Sequence, residues 1–163
     1  MARIIVSDAS PLIGLSIVDG LKWLPELFGT VWIPDAVKGE VLPKRAAQGK
    51  QAIELSLEKG WLQLWPEPID PLIDIDLDEG ESACISIAMG LSEPVLLIMD
   101  ERAGRAVAKE KGIAVIGTAA IIGEAKKRGL IISAREAFDV LHRSDFRISA
   151  NVIKTVLARV DEV

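Results

Sequence analysis

The chain has 163 residues, half of them apolar, and a formal net charge of −5. That is enough for one compact domain, 1–163, with a sizeable core, and too acidic for a bulk electrostatic grip on nucleic acid. A single cysteine, Cys84, and a single histidine, His142, exclude a disulfide framework, a cysteine zinc site and a paired-histidine metal site, and tyrosine is absent. Any chemistry must rest on carboxylates, lysines, arginines and hydroxyls. No apolar run reaches membrane-spanning length and the N-terminus lacks a signal-peptide pattern, so a cytoplasmic protein without a membrane partner is expected.

Short β-rich apolar runs alternate with helical segments. The first run, "RIIVS", predicts a strand at 3–7, followed by Asp8. Ser10 before Pro11 reads as an N-cap with proline at the first helical position, opening a helix through "LIGLSIVDGLKWLPEL" that breaks near Gly20. A strand at 30–33 precedes a short helix in "IPDAVKGEVLP", and "RAAQGKQAIELSLEKG" predicts a helix closed by Gly60. A strand at 61–65 leads into the proline-rich connection "PEPIDPLIDID", 66–76, and then the helix of "DEGESACISIAMGL". The strand at 95–99 ends on Asp100, before the helix of "ERAGRAVAKEKG". A last strand at 113–117 feeds "AAIIGEAKKRG", and residues 133–163 read as two more helices. Strands alternating with helices predict a parallel sheet covered on both sides, with ligands at the carboxyl ends of its strands.

Four carboxylates fall where such a crevice would form. Asp8 and Asp100 each follow a strand directly, and they can meet only if those strands are neighbours. Glu40 comes three residues after Val37 and just before Val41, on the apolar side of its helix. Glu81 stands three residues after Asp78, as in a capping box, and also precedes Cys84, Ile85 and Ala88 on a buried face. Acids gathered in one cleft cannot stay ionised together without cations, and Mg2+ or Mn2+ is the natural compensation. Paired ions of that kind activate water and stabilise a phosphodiester leaving group, chemistry that needs neither histidine nor cysteine. Cys84, His142 and most of Trp23, Trp32, Trp61 and Trp65 are assigned to structure.

In order and spacing, "VSDASPLIGL", "IPDAVKGEV", "LDEGESACISIA", "LLIMDERAGR" and "VIGTAAIIGEAKKRGLI" resemble PIN-like domains, closest to a branch related to VapC-type toxins; "LHRSDFRIS" extends the likeness to the tail. The resemblance implies a three-layer α/β/α sandwich on a parallel sheet of about five strands. It also implies a metal-dependent endoribonuclease acting on RNA, with Asp8, Glu40, Glu81 and Asp100 as catalytic and metal-binding acids. Ser10, Glu101, Arg105 and Thr118 match supporting polar positions. The branch further implies a toxin with a cognate antitoxin and a homodimer. Two positions depart from the wider pattern: Glu81 stands where Asp is usual, and Ala83 where a second acid often occurs.

A receiver domain would carry adjacent acids after the first strand and a lysine after the last; Ser7 and "VIGTAA" supply neither. A haloacid-dehalogenase-like phosphatase needs a second Asp two residues after the first, where Ser10 stands. The alternative that remains is a catalytically weak PIN-like module that binds RNA or protein.

Overall fold

The computed structural model describes residues 3–70, 72 and 76–162. Its centre is a five-stranded, all-parallel sheet in the order β3-β2-β1-β4-β5. The strands are β1 (Ile4–Ser7), β2 (Val31–Ile33), β3 (Leu62–Leu64), β4 (Val95–Ile98) and β5 (Ala114–Ile116). All five predicted strands form. β4 is a continuous apolar run, and β1 is apolar up to Ser7, because both of their faces are covered; every residue of β4 is buried.

The chain leaves β1 for β2 and β3, then returns to place β4 on the other side of β1. Right-handed crossovers therefore put the helices that follow β1 and β2 on one face and those before and after β4 on the other. The first set is α1 (Ala9–Ile17), α2 (Trp23–Phe28) and α4 (Lys50–Lys59); the second is α5 (Glu79–Gly90) and α6 (Arg102–Glu110). α3 (Asp35–Val41) packs against both α1 and α5, spanning the two layers. α7 (Thr118–Lys127) lies against α1 and α2, and carries α8 (Ala134–His142) and α9 (Ala150–Arg159). The result is the expected α/β/α sandwich.

Glu162 fastens the tail. Its carboxylate accepts from the Ala134 and Arg135 amides at 2.6 and 3.2 Å and from the Ser133 hydroxyl at 3.1 Å, and Lys126 lies 3.6 Å away. Burial alone would raise its pKa, but these donors and the lysine outweigh that and lower it.

Two helix starts differ from the sequence reading. α1 begins at Ala9 with Asp8 in the extended N-cap position, so Ser10 is not the cap and Pro11 falls inside the first turn. Proline is tolerated there because its missing N–H would have no helical partner. α4 begins at Lys50 rather than near Arg45, because Gly49 takes a left-handed φ of 80° against Ser16. The helix after Pro11 ends at Ile17, close to the expected break: Asp19 has φ 54°, and Gly20 lies so near Trp23 that a Cβ would stand 2.6 Å from its ring. Of the tryptophans, Trp23 is buried, while Trp32 and Trp65 are half-buried and meet edge-on at 5.5 Å. Within the predicted connection at 66–76, residues 71 and 73–75 lie outside the described residues.

Candidate active site

β1 and β4 are neighbours, with Ser7 opposite Ile98 in register. Their junction is the point where the strand order reverses, and in open parallel sheets that is where a crevice opens at the carboxyl edge. The Asp8 amide donates to the Ile98 carbonyl at 2.9 Å, which prolongs the ladder by one residue and fixes the acid at the lip of that crevice. Among the described residues its carboxylate makes no side-chain capping bond further into α1 and meets only the Ala9 amide at the start of that helix.

Asp100 is held on the other side. Its Oδ1 accepts from the Thr118 amide at 2.8 Å, and its Oδ2 accepts from the Thr118 hydroxyl at 2.7 Å and, more weakly, from the Ser10 hydroxyl at 3.5 Å. Arg105 does not pair with this carboxylate; its Nη1 donates to the Met99 carbonyl at 3.0 Å and so secures the end of β4. Glu101 is the N-cap residue of α6, exposed, and adds negative charge near Glu81.

Glu81 is buried, 4 % exposed, and its Oε2 has no hydrogen-bond partner among the described residues. Its amide donates to Asp78 Oδ1 at 2.8 Å, so the capping pair read from the sequence does form, at least in that direction. Glu40 is exposed near the end of α3, and its charge is felt at Asp8.

Burial, opposed by a hydrogen bond from the Ala9 amide and reinforced by the charges of Asp78, Glu40 and Asp100, pushes Asp8 up to about 7. Glu81 is raised by burial, by a hydrogen bond with the Asp78 side chain, and by the charges of Asp78, Asp8 and Glu101. Glu40 is raised by partial burial and by Asp78. Burial, with the charges of Asp8, Asp78, Glu81 and Glu40, pushes the Cys84 thiol up, which suits a packed core thiol rather than a nucleophile. The His142 ring, outside the crevice, faces the Ile148 carbonyl at 3.3 Å.

Sequence reasoning missed one acid and three glycines. Asp78 was read only as a capping partner, yet its charge bears on Asp8, Glu40 and Glu81 alike. A Cβ at Gly80 would stand 2.9 Å from Asp8 Oδ1, one at Gly104 2.8 Å from Glu81 Oε2, and one at Gly117 2.9 Å from Asp100 Oδ1. These close approaches leave room for carboxylates, and only Gly supplies it; no local pattern marks them.

The set consists entirely of hard oxygen donors, and Glu81 Oε2 is a buried acceptor without a donor, both of which suit a hard divalent cation. Among the described residues no group of three or more His, Cys, Asp or Glu side chains is already drawn together as a metal cage.

Fold and site together define a parallel α/β protein with acids gathered at the carboxyl edge of its sheet, at the switch point. The model of the DUF3368 family, described as a PIN domain, matches residues 4–162, and the chain belongs to that PIN-domain family. No curated protein matches the chain. PIN domains are generally nucleases that use divalent metals, so membership supports a nuclease assignment at that coarse level. No helix among the described residues is long and apolar enough to cross a membrane.

Proposed function

We propose that the chain is a Mg2+- or Mn2+-dependent endoribonuclease in which Asp8, Glu40, Glu81 and Asp100 hold the metal, with Asp78 as a fifth contributing acid. The observation that carries this reading is the meeting of Asp8 and Asp100 on adjacent strands at the switch point, with Asp8 forced towards its neutral form by burial and by the surrounding acids. A divalent ion bound there would supply the charge that lets these acids ionise together, and the activation of water for phosphodiester attack. The chain's own residues orient that centre: Thr118 and Ser10 fix the Asp100 carboxylate, and Arg105 fixes the strand end beneath it. The resemblance of its motifs to the VapC-related branch is the ground on which we propose a toxin role, as a cytoplasmic homodimer with a cognate antitoxin.

A test is degradation of a long, mixed-sequence RNA by the purified chain, with Mn2+, with Mg2+, or with a chelator. The reading expects cleavage with either ion, none with chelator, and at least a hundredfold loss in Asp100→Asn. Cleavage that survives both chelator and Asp100→Asn would refute it. A catalytically weak RNA- or protein-binding module is the second reading; in its favour, no three acids are drawn together as a cage among the described residues.

A further inference from the structure

α8 and α9 enclose a groove of about 420 Å3 that shares no residue with the acidic site. Its lining stands at 135, 138, 139 and 142 on α8 and at 150, 153, 154 and 157 on α9. That is the spacing i, i+3, i+4, i+7 twice over, one stripe from each helix. Both helices rest on α7, and a gap stays open where their stripes face. Phe138 and Leu157 are buried and Ile153 is half-buried, so the floor is apolar. Arg135, Asp139 and Lys154 are exposed along it.

The helix pair is pinned at both ends. At one, the Glu162 carboxylate binds the start of α8, and Arg135 Nη2 donates to the Glu162 carbonyl at 2.8 Å. At the other, the His142 ring faces the Ile148 carbonyl, and Arg147 Nη1 donates to the His142 and Ser144 carbonyls at 2.8 and 2.7 Å. Phe146 fastens the same turn to α1, so closely that a Cβ at Gly14 would stand 2.7 Å from its ring. A ligand therefore meets a preformed groove and needs little ordering of the chain to bind.

The charges select the ligand. Glu162 also lines the groove, but its oxygens are taken by the Ser133 hydroxyl, the Ala134 and Arg135 amides and Lys126. Arg135, Lys154 and Asp139 join no ion pair among the described residues. The uncommitted charge is thus two cations against one acid, a local excess of positive charge on a chain of net charge −5. From Arg135 to His142 the stripe rises about 10 Å along α8, which suits a slender, elongated body. A medium-length acyl chain would displace water from the apolar floor, and a carboxylate head would satisfy the cations.

We propose that this groove binds a medium-chain fatty acid, its chain on Phe138, Ile153 and Leu157 and its carboxylate on Lys154 and Arg135. The test is calorimetric titration of octanoate into the intact chain near neutral pH, with 1-octanol as the uncharged comparison. Octanoate should bind saturably, one to one, and about tenfold or more tighter than octanol. Lys154→Glu should weaken octanoate by about tenfold or more and leave octanol unchanged. Ala150→Trp, at an exposed position on α9, fills the groove and should abolish both. Lys109→Glu makes the same charge change on α6, outside the groove, and should alter neither. Thermal melts of the three variants establish that each is folded. No octanoate binding by the wild type, or binding that survives both groove variants, would overturn the proposal. So would equal affinity for octanol, or an equal loss in Lys109→Glu. A wild-type dimer that binds no octanoate and that Ala150→Trp splits into monomers would assign the groove to a second copy instead.

Discussion

Thr118 holds both oxygens of Asp100, its amide donating to Oδ1 at 2.8 Å and its hydroxyl to Oδ2 at 2.7 Å. One residue at the start of α7 thus sets the direction of an acid at the end of β4. Thr118 is fully buried, so the arrangement is insulated from competing water. Thr118→Val removes only the hydroxyl bond and should cost about 1–3 kcal/mol in chemical denaturation. It should also slow RNA cleavage at saturating metal by about tenfold, with Thr118→Ser restoring most of the rate. A Val variant as active as wild type would deny the hydroxyl a positioning role.

The buried acids predict an unusual pH dependence. Asp8 has an ordinary value of 3.8 and a folded value of about 7, so between these the folded chain holds a proton that the unfolded chain releases. Its contribution is present in full below pH 4 and lost as pH rises through 7. Glu81 and Glu40 are shifted in the same direction. In chelator the melting temperature should fall from pH 5 to pH 8, and Asp8→Asn should be more stable than wild type at pH 8 by about 2 kcal/mol. Thermal melts of the two proteins across that range decide it; a destabilised Asn variant at pH 8 would count against a strained carboxylate.

Glu162 works with the opposite sign. Its pKa is lowered because the donors of Ser133, Ala134 and Arg135 and the nearby Lys126 outweigh burial, so its contribution is present above its ordinary value and lost as pH falls through the lowered one. Glu162→Gln should destabilise the chain by about 1 kcal/mol at pH 7, in the range of a lost helix cap. The penalty should shrink below pH 4. Urea titrations at the two pH values measure both.

Glycine substitutions separate crowded from open positions. Gly104→Ala places a Cβ 2.6 Å from Met99 Sδ and 2.8 Å from Glu81 Oε2, and should cost about 1–3 kcal/mol despite the better helix propensity of Ala. Gly39, inside α3, has no described atom within 4 Å of that point, so Gly39→Ala should stabilise by about 0.5–1 kcal/mol. Equal effects at the two positions, read from denaturant midpoints, would show that close packing at Glu81 does not matter.

Much of this was legible in the chain because the strands are short, mostly apolar runs and the segments between them carry Gly and Pro. Asp8 and Asp100 stood out because an acid directly after a buried strand has few local reasons to be there. Their adjacency was not legible, since strand order depends on pairings between residues some ninety positions apart, such as Ser7 and Ile98. Ser10 misled because Ser-Pro is a strong local helix signal; the ladder bond from the Asp8 amide to Ile98 sets the start of α1 instead. "RAAQ" misled for a similar reason, being made of good helix formers that the left-handed Gly49 cuts off from α4. Asp78 was visible as a cap, but its reach to Asp8 and Glu40 exists only once α3 and α5 are packed together.

The central claim is that Asp8 and Asp100 serve one metal site, and calorimetric titration of Mn2+ into the wild type, Asp8→Asn and Asp100→Asn tests it most directly. A shared site predicts saturable binding to the wild type and its loss, or a weakening of at least a hundredfold, in both variants. Wild-type binding that either substitution leaves intact would contradict it.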